Sequence, residues 1–269
     1  MVNGPGVTIV PSQDGTRCCA PDTAARLLAA VRKGDGRAKV SLVVDKPSLT
    51  TEAALKLGIK EPVGTTTDWK GIPQVKSFTT YYAPGADRVI NIHHIADAVR
   101  GAVIRPGQTF SVNLWVGRRT RDKGYVVAPV IEAGRHAEDV GGGVSQFSTT
   151  LFNAAFFAGL DFVKYQSHTI HFDRYPYGRE ATLGFPEPDQ QIKNNTPYGV
   201  LIWTSYTPTS VTVTMYSTQN VYGQQTAQTK ARVGPCTSVR TTRTRYYADG
   251  HTANDTVGSV YRPGEGVDC

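Results

Sequence analysis

Gly141-Gly142-Gly143-Val144-Ser145-Gln146-Phe147-Ser148-Thr149-Thr150-Leu151-Phe152-Asn153-Ala154 is the stretch on which the fold turns. Three consecutive glycines make a tight loop that a second chain can approach closely. Behind them Phe147, Leu151, Ala154, Ala155 and Ala158 recur at helical spacing, and Gly159 supplies a stop. Residues 151–160 are the most apolar part of the chain, but they fall well short of the roughly 18 apolar residues that span a bilayer and include Asn153. Ser145 stands at the helix entry. Serine is favoured there as an N-cap, and the positive end of the helix dipole would equally favour a nucleophile. Both readings stand at this point.

Working outward, residues 91–101 carry Ile92, Ile95, Ala96 and Val99 on one helical face. Strands are expected at 78–82, 110–115 and 125–131, and downstream at 198–206 and 210–217. The last of these alternates Val211, Val213 and Met215 with Thr212, Thr214 and Tyr216. Residues 220–234 read as a polar linker. Residues 237–247 and 256–261 flank Asp249-Gly250, a hairpin turn. At the other end, a short strand at 7–10 leads to a helix capped by Asp22, with Ala24, Leu27, Leu28 and Val31 as its apolar stripe. A strand at 40–44, a short helix after Thr50 or Thr51, and a polar linker over 60–75 follow. The fold class is α+β: a mixed or antiparallel sheet with a few packed helices, a small α/β N-terminal unit and a C-terminal β-hairpin.

The composition of the 269 residues, 39% hydrophobic and 19% charged, is that of a folded protein. A formal net charge of +7 favours anionic partners. The clusters Arg118, Arg119, Arg121, Lys123 and Arg240, Arg243, Arg245 read as solvated surface charge. Zinc-finger, helix-turn-helix and RNP patterns are missing, so no nucleic-acid partner is expected. The cysteines are Cys18, Cys19, Cys236 and Cys269, with no Cys-x-x-Cys pair. Cys236 and Cys269 are expected to staple the terminal hairpin, a loop closure worth roughly 3–4 kcal/mol, and this bond implies an oxidising compartment. The start reads as an interior loop rather than a signal peptide, so an export signal or membrane anchor is expected upstream. His168 and His171 share a strand face but lack a third ligand, so neither metal nor cofactor is expected.

Several motifs occur in order: Arg88-Val89-Ile90-Asn91-Ile92, Arg105-Pro106-Gly107-Gln108-Thr109-Phe110-Ser111-Val112-Asn113, the glycine-serine stretch above, His168, and Tyr177-Gly178-Arg179-Glu180-Ala181-Thr182. Over residues 76–217 the chain resembles the VanW-like family of bacterial cell-envelope proteins. Residues 1–64 resemble the end of a YoaR-like peptidoglycan-binding domain, and 218–269 remain as linker and stapled hairpin. The resemblance implies an extracytoplasmic place at the cell wall, with peptidoglycan stem peptides or anionic wall polymers as partners. Some members of the family act as L,D-transpeptidases through a cysteine in Gly-Gly-Gly-Val-Cys-Gln; here that position is Ser145.

A serine hydroxyl needs an adjacent base. The resemblance points to His168 as that base and Glu180 as the group that orients it. Asn113 and Gln146 are candidates to donate to a carbonyl or oxyanion, and Gly142 and Gly143 to admit a substrate strand. Arg88 or Arg179 is the candidate to hold a stem-peptide carboxylate. The alternatives are a non-catalytic wall-binding module and a structural adaptor of the envelope.

Overall fold

A computed structural model describes residues 1–3, 6–64, 77–132 and 135–269. The chain divides into two compact units, Thr8–Leu57 with Met1, and Val2–Val7 with Gly58–Cys269. The second begins with a small antiparallel pair, β1 (Val2–Asn3) and β2 (Gly6–Val7).

The first unit runs β3 (Gly15–Arg17), α1 (Thr23–Lys33), β4 (Val43–Asp45) and α2 (Thr51–Lys56), with β3 and β4 antiparallel. Gly34 ends α1 in the left-handed region, where its N–H reaches the carbonyls of Ala30 and Val31. Asp22 stands at the N-cap of α1, but its carboxylate binds Arg26 (2.6 Å) instead of a backbone N–H. Thr50 does cap α2, accepting from the Ala53 N–H. Cys18 and Cys19 pair with each other.

The second unit continues with β5 (Glu61–Pro62), β6 (Ser77–Tyr81), α3 (Asp87–Val99), β7 (Val103–Ile104), β8 (Thr109–Ser111), α4 (Val112–Val116), β9 (Val127–Glu132), β10 (Arg135–Val140) and α5 (Ser145–Phe157). It ends with β11 (Asp161–Lys164), β12 (Gln191–Lys193), β13 (Val200–Thr207), β14 (Ser210–Ser217), β15 (Val221–Val233), β16 (Cys236–Tyr247) and β17 (Thr252–Tyr261). The sheets are antiparallel throughout, and the whole is α+β. The expected 60–75 linker falls mostly on residues outside the described ones. Its first part is not linker: Glu61–Pro62 pairs with β14.

The central sheet runs β5-β14-β13-β7, with β6 also on β14. Helices α3 and α5 pack on it, burying Ile92, Ile95, Phe147 and Leu151 against Ile202, Val211, Val213 and Met215. The other side of α5 buries Phe152 and Phe156 with Ala181 and Val257 under a long three-stranded ribbon, β15-β16-β17. An amphipathic stripe would leave one side of a helix bare; α5 is covered on both sides, because its apolar residues face two layers and its buried polar side chains are hydrogen-bonded to neighbouring segments.

The ribbon corrects one expectation. Within residues 220–234, Val221–Val233 form the strand β15, paired with β16 from Val221↔Tyr247 to Val233↔Cys236, rather than a linker. Their Gln- and Thr-rich composition belongs to an edge strand whose second half faces solvent. The Cys236–Cys269 disulfide closes the tail onto the start of β16. Residues 110–115 also differ: the strand stops at Ser111, whose hydroxyl accepts from the Leu114 N–H and starts α4.

Candidate active site

Each glycine before α5 is required by its surroundings. Gly141 and Gly143 both have φ +90°, in the left-handed region that other residues rarely enter. A Cβ at Gly142 would sit 2.0 Å from the Ala128 carbonyl oxygen. A Cβ at Gly141 would meet the Arg119 side chain (2.9 Å), and one at Gly143 the Arg88 side chain (2.7 Å). The loop therefore lets two arginine stems press against its two ends.

Ser145 is the first helical residue, not the cap. Val144 holds the cap position, with no side-chain cap bond. The Ser145 hydroxyl accepts from the Leu183 N–H (3.1 Å) and lies 3.2 Å from Thr182 Oγ1. This contact is one rung of three. Thr149 Oγ1 bonds both the carbonyl and the N–H of Ala181, and Asn153 Nδ2 donates to the Arg179 carbonyl. Residues 145, 149 and 153 thus hold residues 183, 181 and 179. Four helical residues rise about 6 Å, and two extended residues span about 6.6 Å, so a polar helix stripe can zip to an extended segment.

The zipped segment carries Glu180 and Thr182 between its rungs. Glu180 is 1% exposed and its Oε2 bonds His168 Nδ1 at 2.7 Å. The imidazole, itself 7% exposed, stacks on Tyr175 and meets Phe172 edge-on. A carboxylate on Nδ1 fixes the tautomer with its proton there, which leaves Nε2 as an acceptor. The loop bearing His168 is gripped from outside by the ribbon. The Arg262 N–H donates to the Thr169 carbonyl (2.7 Å), the Gly178 N–H donates to the Tyr261 hydroxyl (2.9 Å), and Gln228 donates to the Tyr177 carbonyl. Burial, and then the neighbouring Glu180 carboxylate, push the Tyr261 phenol pKa up, so it stays protonated.

A cavity of about 750 Å³ opens here, lined among others by Ser145, His168, Gly143, Thr182, Arg88 and Arg119. Ser145 and His168 face the same space. Among the described residues no hydrogen bond joins them; Ser145 is held by Thr182 and Leu183. Arg88 lines the cavity and Nη2 donates to Gln146 Oε1 (2.6 Å). Burial, opposed in part by Tyr175, lowers the pKa of its guanidinium.

Four other expected contacts stand behind the wall. Gln146 is fully buried; its amide nitrogen donates to Thr80 Oγ1 and the Tyr81 carbonyl, and its oxygen holds Arg88. Asn113 donates to the Pro186 carbonyl and accepts from Arg119 Nη1 (2.6 Å). Gly142 is pressed on the Ala128 carbonyl. Arg179 packs over Phe156 and Phe157, with burial lowering its pKa to about 10. Both amides are fixed to protein because the chain folds polar side chains inward where they can be satisfied.

The sequence reading missed Arg119, Phe185 and Arg262 as cavity residues; Tyr175, an aromatic candidate for a groove, does line the cavity. Arg119 was visible only as one member of a basic cluster. Thr182 lay inside a quoted motif without a role. Among the described residues, no group of three or more His, Cys, Asp or Glu is placed to hold a metal ion.

Residues 87–216 match the family described as VanW like protein. This segment is similar to a VanW-like domain. It contains the glycine loop, Ser145, His168, Glu180, Arg88 and Arg119. The protein YoaR of Bacillus subtilis (strain 168), described as uncharacterized, is 41% identical over 145 residues, which cover 54% of this chain and 48% of YoaR. The chain thus spans about half the length of that relative. No solved structure matches. The ribbon lies outside the matched VanW-like segment, yet it supplies Arg262 to the cavity and Tyr261 to the loop behind His168.

Proposed function

We propose that the protein works outside the cytoplasmic membrane at peptidoglycan, binding stem peptides in the cavity beside Ser145 and catalysing L,D-transpeptidase-like acyl transfer there. The observation that carries this reading is the buried Glu180–His168 pair opening onto the same cavity as the Ser145 hydroxyl. The Cys236–Cys269 disulfide supports an oxidising compartment. Residues 1–64 are taken in this reading as part of a wall-binding domain, and a membrane anchor would lie outside this sequence.

The chemistry follows from the side chains. Ser145 Oγ attacks the peptide carbonyl carbon, and its proton passes to His168 Nε2. The tetrahedral intermediate collapses as the amine leaves with that proton. The amine of a second stem, or water, then attacks the ester and frees Ser145. Glu180, bound to Nδ1, orients the ring and stabilises the imidazolium. For the proton to pass, the serine hydroxyl must turn from Leu183 and Thr182 towards Nε2.

A second reading has its own observation. Ser145 is a rung in the ladder that fixes 179–183, a role that needs no reaction. In that reading the protein is a wall-binding module without catalysis.

Mass spectrometry after incubation with purified tri- and tetrapeptide muropeptides separates the two. Under the catalytic reading, wild type gives products or an acyl adduct and Ser145→Ala gives none. His168→Ala is then expected to slow turnover roughly 10²–10⁴-fold. Ser145→Cys, which restores the thiol of the family motif, is expected to remain active. Binding without products in wild type and Ser145→Cys alike leaves the module reading.

A further inference from the structure

The cavity is strongly and asymmetrically cationic. Among the described residues its lining carries five arginines, Arg88, Arg118, Arg119, Arg174 and Arg262, against two carboxylates, Asp139 and Glu187. Glu187 is already bound to Lys164 at 2.5 Å. Arg262 has Asp268 at 3.3 Å. Among the described residues Arg88, Arg118, Arg119 and Arg174 have no carboxylate within ion-pair distance.

Arg88 and Arg119 are built alike. Each stem presses on one end of the Gly141–Gly143 loop. Each guanidinium gives one N–H to a buried amide oxygen at 2.6 Å, Gln146 for Arg88 and Asn113 for Arg119. An amide orients a guanidinium without neutralising it. Asn113 is fixed in turn, its N–H bound to Asp189 Oδ1. Burial lowers the pKa of both arginines, as expected for cations withdrawn from water; for Arg119 it is opposed in part by Tyr125, Asp189 and Asp139. Arg119 is 7% exposed, and among the described residues its Nη1 reaches, besides Asn113, the Gly117 carbonyl (3.2 Å). Phe185, 41% exposed, takes Arg119 and Arg118 against its ring at 5.6 and 5.9 Å. The aromatic face pre-orients both forks at the cavity wall.

We infer that Arg119, with Arg118 and Phe185, forms a second anion subsite at the opposite end of the glycine loop from Arg88, so that the cavity takes an extended peptide bearing two carboxylates. One carboxylate sits at Arg88 and the other at Arg119, and the peptide backbone between them passes the loop that leads to Ser145. A fixed guanidinium fork offers a carboxylate two parallel N–H bonds, which a lysine could not. The inference rests on the stem-peptide reading for the identity of the ligand and on the paired arginines for its two charges.

The test is calorimetric titration with a synthetic stem tripeptide carrying two free carboxylates and with its two singly amidated forms. Against wild type, each amidation is expected to weaken binding about 10-fold, the order of one charge-assisted contact. Arg119→Gln should lose about as much with the diacid, and it should become indifferent to one of the amidations. Arg88→Gln should become indifferent to the other. If Arg119→Gln fails to fold, Arg118→Ala with Phe185→Ala, both exposed, should weaken binding and blunt the same amidation. A variant set that stays sensitive to both amidations overturns the subsite. So does a glycerol-phosphate oligomer that competes as well as the diacid. An ordinary L-peptide with two carboxylates is the control. If it reproduces the pattern while the stem peptide does not bind, the subsite holds and the peptidoglycan reading falls.

Discussion

Helices α1 and α5 are similar in length and unlike in every other respect. In α1 the apolar stripe is open to solvent, with Leu27, Leu28 and Val31 at 47, 51 and 73% exposed. In α5 every residue from Gln146 to Phe156 is buried. Periodicity in a sequence identifies a helix; it does not say whether anything covers the stripe. The comparison also shows what the polar residues of a buried helix do. Ser145, Thr149 and Asn153 would look like a solvated face, yet they fasten the segment that presents Glu180.

That contrast can be broken by substitution. The largest effect is expected from Phe152→Ala, which empties space between α5 and the ribbon and should cost about 3–5 kcal/mol in a denaturant titration. Removing the staple with Cys236→Ser and Cys269→Ser should cost up to about 3–4 kcal/mol, seen as a lower Tm under non-reducing conditions. Arg179→Met is expected to be neutral or to stabilise by about 1 kcal/mol, because Nε and Nη1 are buried without hydrogen-bond partners among the described residues. A clear loss of stability would show that the cation–π contacts outweigh desolvation. Leu27→Ser with Val31→Ser should change stability least, within about 0.5 kcal/mol each. Hydrogen exchange sharpens the point: α5 amides should exchange near the global unfolding limit, and α1 amides far faster.

Much of the architecture could be read from residue patterns alone. The glycine loop and the helix behind it, α3 with its Ile92–Ile95–Val99 face, and strands β13 and β14 all follow from spacing. The terminal disulfide followed from where the cysteines stand. Polar side chains were harder. Strand β15 was hidden because a Gln- and Thr-rich edge strand has the composition of a linker. The reach of Asn113 and Gln146 was hidden because an amide looks the same in a sequence whether it meets a substrate or an arginine. Arg119 was read as surface charge because only the fold turns it inward onto Phe185. Asp22 failed as a cap because Arg26, one turn on, competes for its carboxylate.

The grip of the ribbon on the 165–180 loop bears on where this protein can be cut. A fragment trimmed to the matched segment, 87–216, would keep Ser145, His168 and Glu180. It would lose β6, whose Thr80 and Tyr81 hold Gln146, and with it the anchor of Arg88. It would also lose Arg243, whose Nη1 donates to the Phe156 and Leu160 carbonyls at the end of α5, and the Val257 side chain that packs with Phe152 and Phe156. The border of sequence likeness is therefore not a border of folding. Shuffling or transplanting this segment by its recognisable motifs alone would carry the reactive groups away from the parts that aim them.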